Sequence, residues 1–399
     1  MEGASGAVTY PEGFLAAGVC AGIKERGEDV ALIFSERPAS AAGVFTTNVV
    51  QAAPVIISRA RIPRGTGRAI VVNSGNANAC TGEQGLRDAR AMAAEAARLL
   101  GISEDDVLAA STGIIGRRLP MDKVSAGISQ AVRSLSRDGG ASAARAIMTT
   151  DTRPKEASAE VSVGGSKVGI GGMAKGAGMI CPNLATMLAF ITTDAAVSPE
   201  MLQACLLRSA EVSFNCLTID GDSSTNDTAI ILANGAAGNS AIDSEGPGLS
   251  AFQEALDAVT AFLAKQIARD GEGATKLIEV TVRGARSFED ARRIAKAVAN
   301  SPLVKTAMFG CDPNWGRVLA AAGSAGVRFD PKAVNLLLGP TPLLRRGEPV
   351  DFREDEAREL LRKPEVNVLL EIGAGPASAT VWTCDFSYDY VRINAEYHT

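Results

Sequence analysis

Short stretches of apolar residues recur along the chain and are bounded by glycine, proline and small polar residues. This pattern predicts strands. The strand-like runs are residues 30–34, 54–57, 69–72, 160–163, 186–191, 229–232, 277–282, 366–372 and 380–383.

Several of these runs alternate with predicted helices. Residues 86–100 repeat alanine and leucine at helical spacing and stop before Gly101, a typical helix C-cap. A long helix is predicted over residues 248–269, and Pro302 lies just past the end of another. Three helices are expected to begin at polar N-cap residues, which are Asp122, Ser198 and Ser287. Because the order lacks a strict βαβ rhythm, we expect layered α/β or α+β sheets rather than a doubly wound sheet.

Composition narrows the class of protein. A length of 399 residues suggests two or three domains, and 46% hydrophobic with 21% charged residues is typical of a globular chain. The net charge of -5 favours no polyanionic partner. One basic cluster, formed by Arg59, Arg61, Arg64 and Arg68, lacks interleaved aromatics, so we interpret it as a solvated loop rather than a nucleic-acid site.

Targeting and redox signals are weak. No apolar run approaches the roughly 18 residues of a membrane span, and the first residues do not resemble a signal peptide, so a cytoplasmic location is expected. The seven cysteines form no CxxC pair. We therefore expect reduced cysteines, with neither a disulfide framework nor a zinc site.

The single histidine restricts the possible chemistry. His398 is the penultimate residue, which excludes a Ser-His or Cys-His relay in the body of the chain. Thr186 offers another kind of nucleophile. If the Ala185–Thr186 peptide bond breaks, Thr186 gains a free α-amino group with a pKa of about 7.7 to 8.0, a usable general base beside its own hydroxyl. The alternative is an ordinary strand threonine.

Three other segments are candidates for chemistry. Thr112 and Gly113 resemble a turn whose hydroxyl and N–H groups could stabilise an oxyanion, although a plain turn fits equally. Glu272 lies between two glycines and could pair with an ammonium group, or could belong to a simple turn. Residues 220–227 fail the pattern of a calcium loop and predict a hydrogen-bonded acidic turn near a site.

Taken together, these segments resemble the ornithine acetyltransferase family, also called the glutamate N-acetyltransferases or arginine-biosynthesis bifunctional proteins. The resemblance covers nearly the whole chain. Its motifs are GVFTTN (43–48), NSGNANACTG (73–82), STG (111–113), TTDT (149–152), KGAGMICPNLATML (175–188), the 220–227 turn, DGEGATK (270–276), DPNWGR (312–317) and INAEYHT (393–399).

The resemblance implies a DmpA/ornithine acetyltransferase-like fold with the active site between two lobes. It further implies self-cleavage between Ala185 and Thr186 into an α chain of residues 1–185 and a β chain of residues 186–399. Thr186 would be the nucleophile, with Thr112 and Gly113 as the oxyanion hole. The implied substrate contacts are Thr152, Lys175, Thr186, Glu272, Asn394 and Thr399.

The implied reaction is acetyl transfer from N2-acetyl-L-ornithine to L-glutamate in arginine biosynthesis, with no cofactor, no metal and a heterotetramer of α and β chains. Whether acetyl-CoA is also a donor stays open. An alternative is a self-processing amidohydrolase or aminopeptidase, in which water replaces glutamate as the acceptor. A non-catalytic metabolite-binding protein would instead keep an intact chain.

Overall fold

The computed structural model describes residues 6–181 and 187–396, which form two β-sheets flanked by α-helices. The first sheet contains β1 (Phe14–Val19), β2 (Val30–Phe45), β3 (Thr66–Asn76), β4 (Val107–Ile114), β5 (Lys155–Val163), β6 (Ser166–Lys175), β7 (Leu188–Thr193) and β8 (Thr228–Ala233). The second contains β9 (Leu277–Ala285), β10 (Asn335–Leu338), β11 (Thr341–Arg345), β12 (Glu348–Pro349), β13 (Glu365–Glu371) and β14 (Ala377–Cys384).

The helices pack on the faces of these sheets. They are α1 (Ala53–Arg61), α2 (Gly82–Leu100), α3 (Met121–Arg133), α4 (Gly140–Ala146), α5 (Pro199–Val212), α6 (Pro247–Arg269), α7 (Phe288–Asn300), α8 (Pro302–Phe309), α9 (Trp315–Gly323), α10 (Glu354–Leu361) and α11 (Tyr388–Glu396). Within the described ranges, none of them combines the length and the apolar run that crossing a membrane requires.

Both sheets are mixed. The first has the strand order β4-β3-β2-β8-β7-β6-β5, with β1 paired to the first half of β2, and only the β3–β4 and β7–β8 pairs are parallel. The second has the order β12-β11-β10-β13-β9-β14, in which β13 and β9 are parallel. The predicted layered α/β architecture is therefore confirmed.

Each face of the first sheet is buried against a different partner. Ile33 of β2 shares an inner core with Phe190 of β7, so the two halves of the sheet pack face to face. Leu32, on the opposite face of β2, packs with Met92 of α2. Ile231 of β8 belongs to a third core beneath α5 and α6. Strands β7 and β8 consequently have no exposed residue, which explains their nearly continuous apolar runs.

Helix α6 connects the first sheet to the second. It contacts β5 and β6 on one side and β9 and β14 on the other. Its buried residues belong to one apolar core that also includes residues of the second sheet and of α7. Examples are Leu263 of α6, Val280 of β9 and Ile294 of α7. The second sheet is thereby fixed against the first, and the end of the chain returns from β14 through α11 toward the first sheet.

Local signals explain most helix boundaries. The Ser198 and Ser287 side chains accept hydrogen bonds from the N–H groups of Met201 and Asp290, as predicted for N-caps. Helix α2 ends at Gly101, whose φ is 66°. The cap predicted at Asp122 is wrong.

Helix α3 begins one residue before Asp122, at Met121, and Pro120 occupies its N-cap position. Asp122 thus lies in the first helical turn. There the positive end of the helix dipole stabilises its carboxylate, although Asp122 does not cap the helix.

Two further predictions are wrong. Residues 54–57, predicted as a strand, belong to α1, because a four-residue apolar run does not distinguish strand from helix and Pro54 suits a first helical turn. The basic cluster is not a solvated loop. Arg61 is buried, donates to the Val107 carbonyl and pairs with Glu104, which fixes α1 against β4.

Candidate active site

A polar cavity lies where the ends of β4 and β6 meet the start of β7. The loop before β8 and helix α11 close its other sides, so its walls come from the first sheet and from the C-terminal part of the chain. Residues on its walls include Thr112, Gly113, Thr149, Lys175, Glu272 and Asn394. Five of these six are predicted site residues, and they lie up to 282 positions apart in the sequence (394 minus 112).

Lys175 is the buried cation of the cavity. Its Nζ donates to Thr149 Oγ1 at 2.7 Å and to Thr112 Oγ1 at 3.3 Å, and lies 3.8 Å from Asp151 Oδ2. Burial lowers the pKa of Lys175, whereas the Asp151 carboxylate opposes that change. The lysine therefore brings positive charge next to the Thr112 hydroxyl.

Asp151 organises the charges beneath the cavity. Lys155 Nζ lies 2.6 Å from both Asp151 Oδ1 and Asp270 Oδ2, in a fully buried position. Burial by itself would raise the pKa of Asp151, but Lys175, Lys155 and the N–H of Gly176 lower it below its ordinary value. Asp151 is therefore an ionised carboxylate shared between two lysines.

Thr152 is not brought to the cavity wall. It is exposed; its backbone N–H donates to Asp270 at 3.0 Å, and its hydroxyl donates to the same carboxylate. Thr149, three residues earlier, contacts Lys175 instead. Sequence reasoning missed Thr149, although the TTDT motif contains it, because the motif alone does not show which threonine faces the lysine.

Thr112 and Gly113 end strand β4 and do not form the predicted turn. The Asn226 side chain donates to the Ser111 carbonyl at 2.8 Å, which holds this strand end against the loop before β8. Gly113 has a φ of 129°, and a Cβ there would lie 2.4 Å from the Gly75 carbonyl carbon. Only glycine fits this position.

Glu272 is held between a loop and the C-terminal helix. Asn394 Nδ2 donates to Glu272 Oε2 at 2.9 Å, and the Glu272 N–H donates to the Ala177 carbonyl at 2.8 Å. A Cβ at Gly178 would lie 2.5 Å from Glu272 Oε2, so the absent side chain makes room for this carboxylate. Glu272 is thus fixed at the cavity edge with an acceptor available to an ammonium group.

The acidic turn predicted at residues 220–227 is confirmed at the cavity. Asp220 accepts hydrogen bonds from the N–H groups of Met179 and Ile180 at 2.6 and 2.9 Å. Tyr390, which sequence reasoning missed, also lines the cavity. Burial raises the pKa of Tyr390, and Asp220 adds to that rise. No sequence motif among those above contains Tyr390.

Some predicted residues lie outside the described part of the chain. They are Ala185, Thr186, His398 and Thr399. Met187, which follows Thr186 in sequence, lines the cavity, and its carbonyl accepts a hydrogen bond from the Thr228 N–H at 2.9 Å.

A hydroxyl and a glycine N–H beside a buried cation stabilise negative charge on an oxygen, which is the requirement of acyl transfer. The carboxylate of Glu272 supplies the opposite charge across the same cavity. The fold and the site thus define a layered α/β enzyme suited to small substrates that carry both charges.

The chain belongs to the ArgJ family, whose model matches residues 15–399. It is 56% identical over 402 residues to the arginine biosynthesis bifunctional protein ArgJ of Symbiobacterium thermophilum, with all of both chains covered. It is 50% identical over 403 residues to the protein of the same name from Caldanaerobacter subterraneus subsp. tengcongensis, again over both full lengths. The family resemblance seen in the sequence is confirmed.

A solved structure agrees with this membership. The crystal structure of the arginine biosynthesis bifunctional protein argJ from Bacillus halodurans has 42% sequence identity and a TM-score of 0.50. The match covers 97% of that chain but 52% of this one. The solved polypeptide is therefore about half as long as the present chain.

Proposed function

We propose that this protein is a glutamate N-acetyltransferase of arginine biosynthesis, which moves the acetyl group of N2-acetyl-L-ornithine to L-glutamate. The observation that carries the proposal is the meeting of Thr112, Gly113, Lys175 and Glu272 in one cavity. Membership in the ArgJ family, whose named relatives act in arginine biosynthesis, supports it.

The proposed nucleophile is Thr186, released by cleavage of the Ala185–Thr186 bond. Its hydroxyl attacks the Ala185 carbonyl, and the peptide becomes an ester as the C–N bond breaks and frees the α-amino group of Thr186. Water then hydrolyses the ester, which leaves a carboxylate on Ala185 and restores the Thr186 hydroxyl. This yields chains of residues 1–185 and 186–399. Support comes from Met187, which lines the cavity next in sequence, and from the half-length solved relative.

The proposed cycle has two halves. Thr186 attacks the acetyl carbonyl of acetylornithine, Thr112 and Gly113 stabilise the oxyanion, and ornithine leaves an acetyl ester on the threonine. Glutamate then attacks that ester and departs as N-acetylglutamate. The Thr186 α-amino group takes the hydroxyl proton during the attack and passes it to the leaving amine, since its ordinary pKa is about 7.7 to 8.0.

We assign the substrate contacts by matching charges between the cavity and the two amino acids. Both amino acids carry an α-carboxylate, which Lys175 can pair with, and Glu272 can accept from an amine. Asn394 orients Glu272 through their hydrogen bond. We propose an indirect role for Thr152, through Asp270 and Lys155, and retain Thr399 as a substrate contact. A cytoplasmic location and a heterotetramer of the two chains complete the proposal.

Two measurements test this function. Mass spectrometry of the purified protein should find two fragments that meet at residues 185 and 186, and one uncut chain after Thr186→Ala. Incubation with acetylornithine should release ornithine only slowly until glutamate is added, with N-acetylglutamate as the product. Acetate release that is independent of glutamate would favour the hydrolase instead. Replacing acetylornithine by acetyl-CoA decides whether a second donor is used.

A further inference from the structure

Asp227 is a buried carboxylic acid on the cavity wall that the proposed cycle above does not use. Its residue exposure is 2%, and among the described residues its Oδ2 has no hydrogen-bond partner. A buried polar atom without a partner costs about 1 to 3 kcal/mol. Asp227 also lines the cavity, so its carboxyl lies beside the space that a bound substrate would occupy.

The backbone fixes Asp227 close to the other site residues. It directly precedes β8, where the Thr228 N–H donates to the Met187 carbonyl at 2.9 Å. Its own carbonyl accepts from the Thr46 N–H at 2.9 Å. The preceding Asn226 is hydrogen-bonded to the Ser111 carbonyl, one residue before Thr112. Asp227 thus lies between the start of β7 and the oxyanion-stabilising end of β4.

Its surroundings favour the protonated carboxyl. Burial raises the pKa of Asp227 well above its ordinary value, and the positive charge of Lys175 offsets only part of that rise. Asp151 differs, because two lysines hold it ionised. Asp227 on the cavity wall and Asp151 beneath it thus have opposite tendencies, and the neutral carboxyl of the two is the one suited to donate a proton.

We infer that Asp227 is a further catalytic residue: its carboxyl protonates the amine that leaves the acetyl donor and recovers that proton from the ammonium group of the acceptor. The inference rests on the proposed acetyl transfer and adds a proton donor that this reaction needs. An amide nitrogen leaves poorly without a proton, and a positioned acid contributes about 10²- to 10⁴-fold.

The proton balance closes over the cycle. As the acetyl C–N bond breaks, the leaving nitrogen receives one proton from Asp227 and one from the Thr186 hydroxyl by way of its α-amino group. Ornithine therefore departs with a free ammonium group, leaving the acetyl ester and an Asp227 carboxylate. The glutamate ammonium then returns one proton to Asp227 and, as its nitrogen bonds to the acetyl carbon, a second to the threonine oxygen.

The test compares two acetyl donors on Asp227→Asn, which keeps the side-chain shape. Acetylornithine has an amine leaving group that needs a proton, whereas p-nitrophenyl acetate releases a phenolate that does not. Wild type and variant are both produced as coexpressed residues 1–185 and 186–399, the latter exposing Thr186 after removal of an initiator methionine. Self-cleavage then does not affect the comparison.

We expect the Asp227→Asn rate with acetylornithine to fall by about 100-fold and the burst with p-nitrophenyl acetate to change by less than about threefold. Asp243→Asn, the same change at an exposed position, should alter neither rate. An unchanged acetylornithine rate, or an equal loss with both donors, would overturn the inference alone. Failure of wild-type protein expressed as the full 399-residue chain to transfer acetyl from acetylornithine would overturn the proposed function together with it.

Discussion

Single residues determine the charges of the site. Asp151 lies between Lys155 and Lys175 with only 2.6 Å to the first and 3.8 Å to the second. All three are buried, and removing one partner of a buried ion pair leaves an uncompensated charge. Asp151 thus both holds the fold together and maintains the cation of the cavity.

Asp151→Asn should lower the free energy of unfolding by about 3 to 5 kcal/mol near pH 7. The pKa of Asp151 is lower in the folded state than in the unfolded state, so its contribution is complete above the ordinary aspartate pKa of about 4 and is lost as the pH falls below it. The difference from wild type should therefore shrink under acid conditions. Urea unfolding at several pH values measures both effects.

Asp243→Asn, at an exposed position, is the control and should change the free energy of unfolding by less than about 0.5 kcal/mol. A difference between wild type and Asp151→Asn that grows as the pH falls would contradict the assignment of Asp151 as an ionised carboxylate.

At the scale of elements, α11 carries cavity residues from the far end of the chain. Its first turn is anchored because Ser387 Oγ donates to the Gly273 carbonyl at 2.6 Å. Further along, Asn394 reaches Glu272, and Tyr390 lines the cavity. The helix thus covers one side of the site without belonging to either sheet, and it can exclude water from an acetyl ester.

Deletion of residues 394–399 should reduce acetyl transfer at least about tenfold while self-cleavage stays within about threefold of wild type, because only transfer needs the ester protected from water. Product formation with glutamate and the fragment ratio on a denaturing gel give the two rates. Asn394→Ala, which removes the hydrogen bonds to Glu272 and to the Tyr390 carbonyl but keeps the rest of the segment, should show a smaller loss of transfer. Equal loss of both processes after the deletion would contradict the role of α11 as a cover.

At the scale of the whole molecule, the proposed cleavage divides the first sheet between two chains. Strands β2 and β6 precede residue 186, whereas their neighbours β8 and β7 follow it. The inner core and the Lys155–Asp270 ion pair also join the two parts. Contacts of this extent resemble a domain core rather than an interface between separate proteins.

The two fragments should therefore elute together in gel filtration under native conditions and separate only in denaturant. Uncut Thr186→Ala provides the reference elution volume, which the cleaved protein should match. Free residues 1–185 in native buffer would contradict this prediction. Multi-angle light scattering on the same column measures the mass and tests the heterotetramer.

The sequence predicted local features well and their combination less well. The caps at Ser198 and Ser287 and the stop at Gly101 are confirmed, since each depends on neighbouring residues only. The strand predicted at residues 54–57 is wrong because a short apolar run suits either a buried strand or a buried helix. Arg61 was misassigned because its partners, Val107 and Glu104, are more than 40 positions away.

The sequence by itself determined the family, the layered α/β class and five of the residues that line the cavity, because motifs and periodicity are written in neighbouring positions. Only the tertiary structure decided that Thr149 rather than Thr152 contacts Lys175, that Tyr390 reaches the site, and that Asp227 is buried without a partner. The physical reason is that charge, burial and hydrogen-bond partners depend on distances through space, which strand pairing and helix packing set.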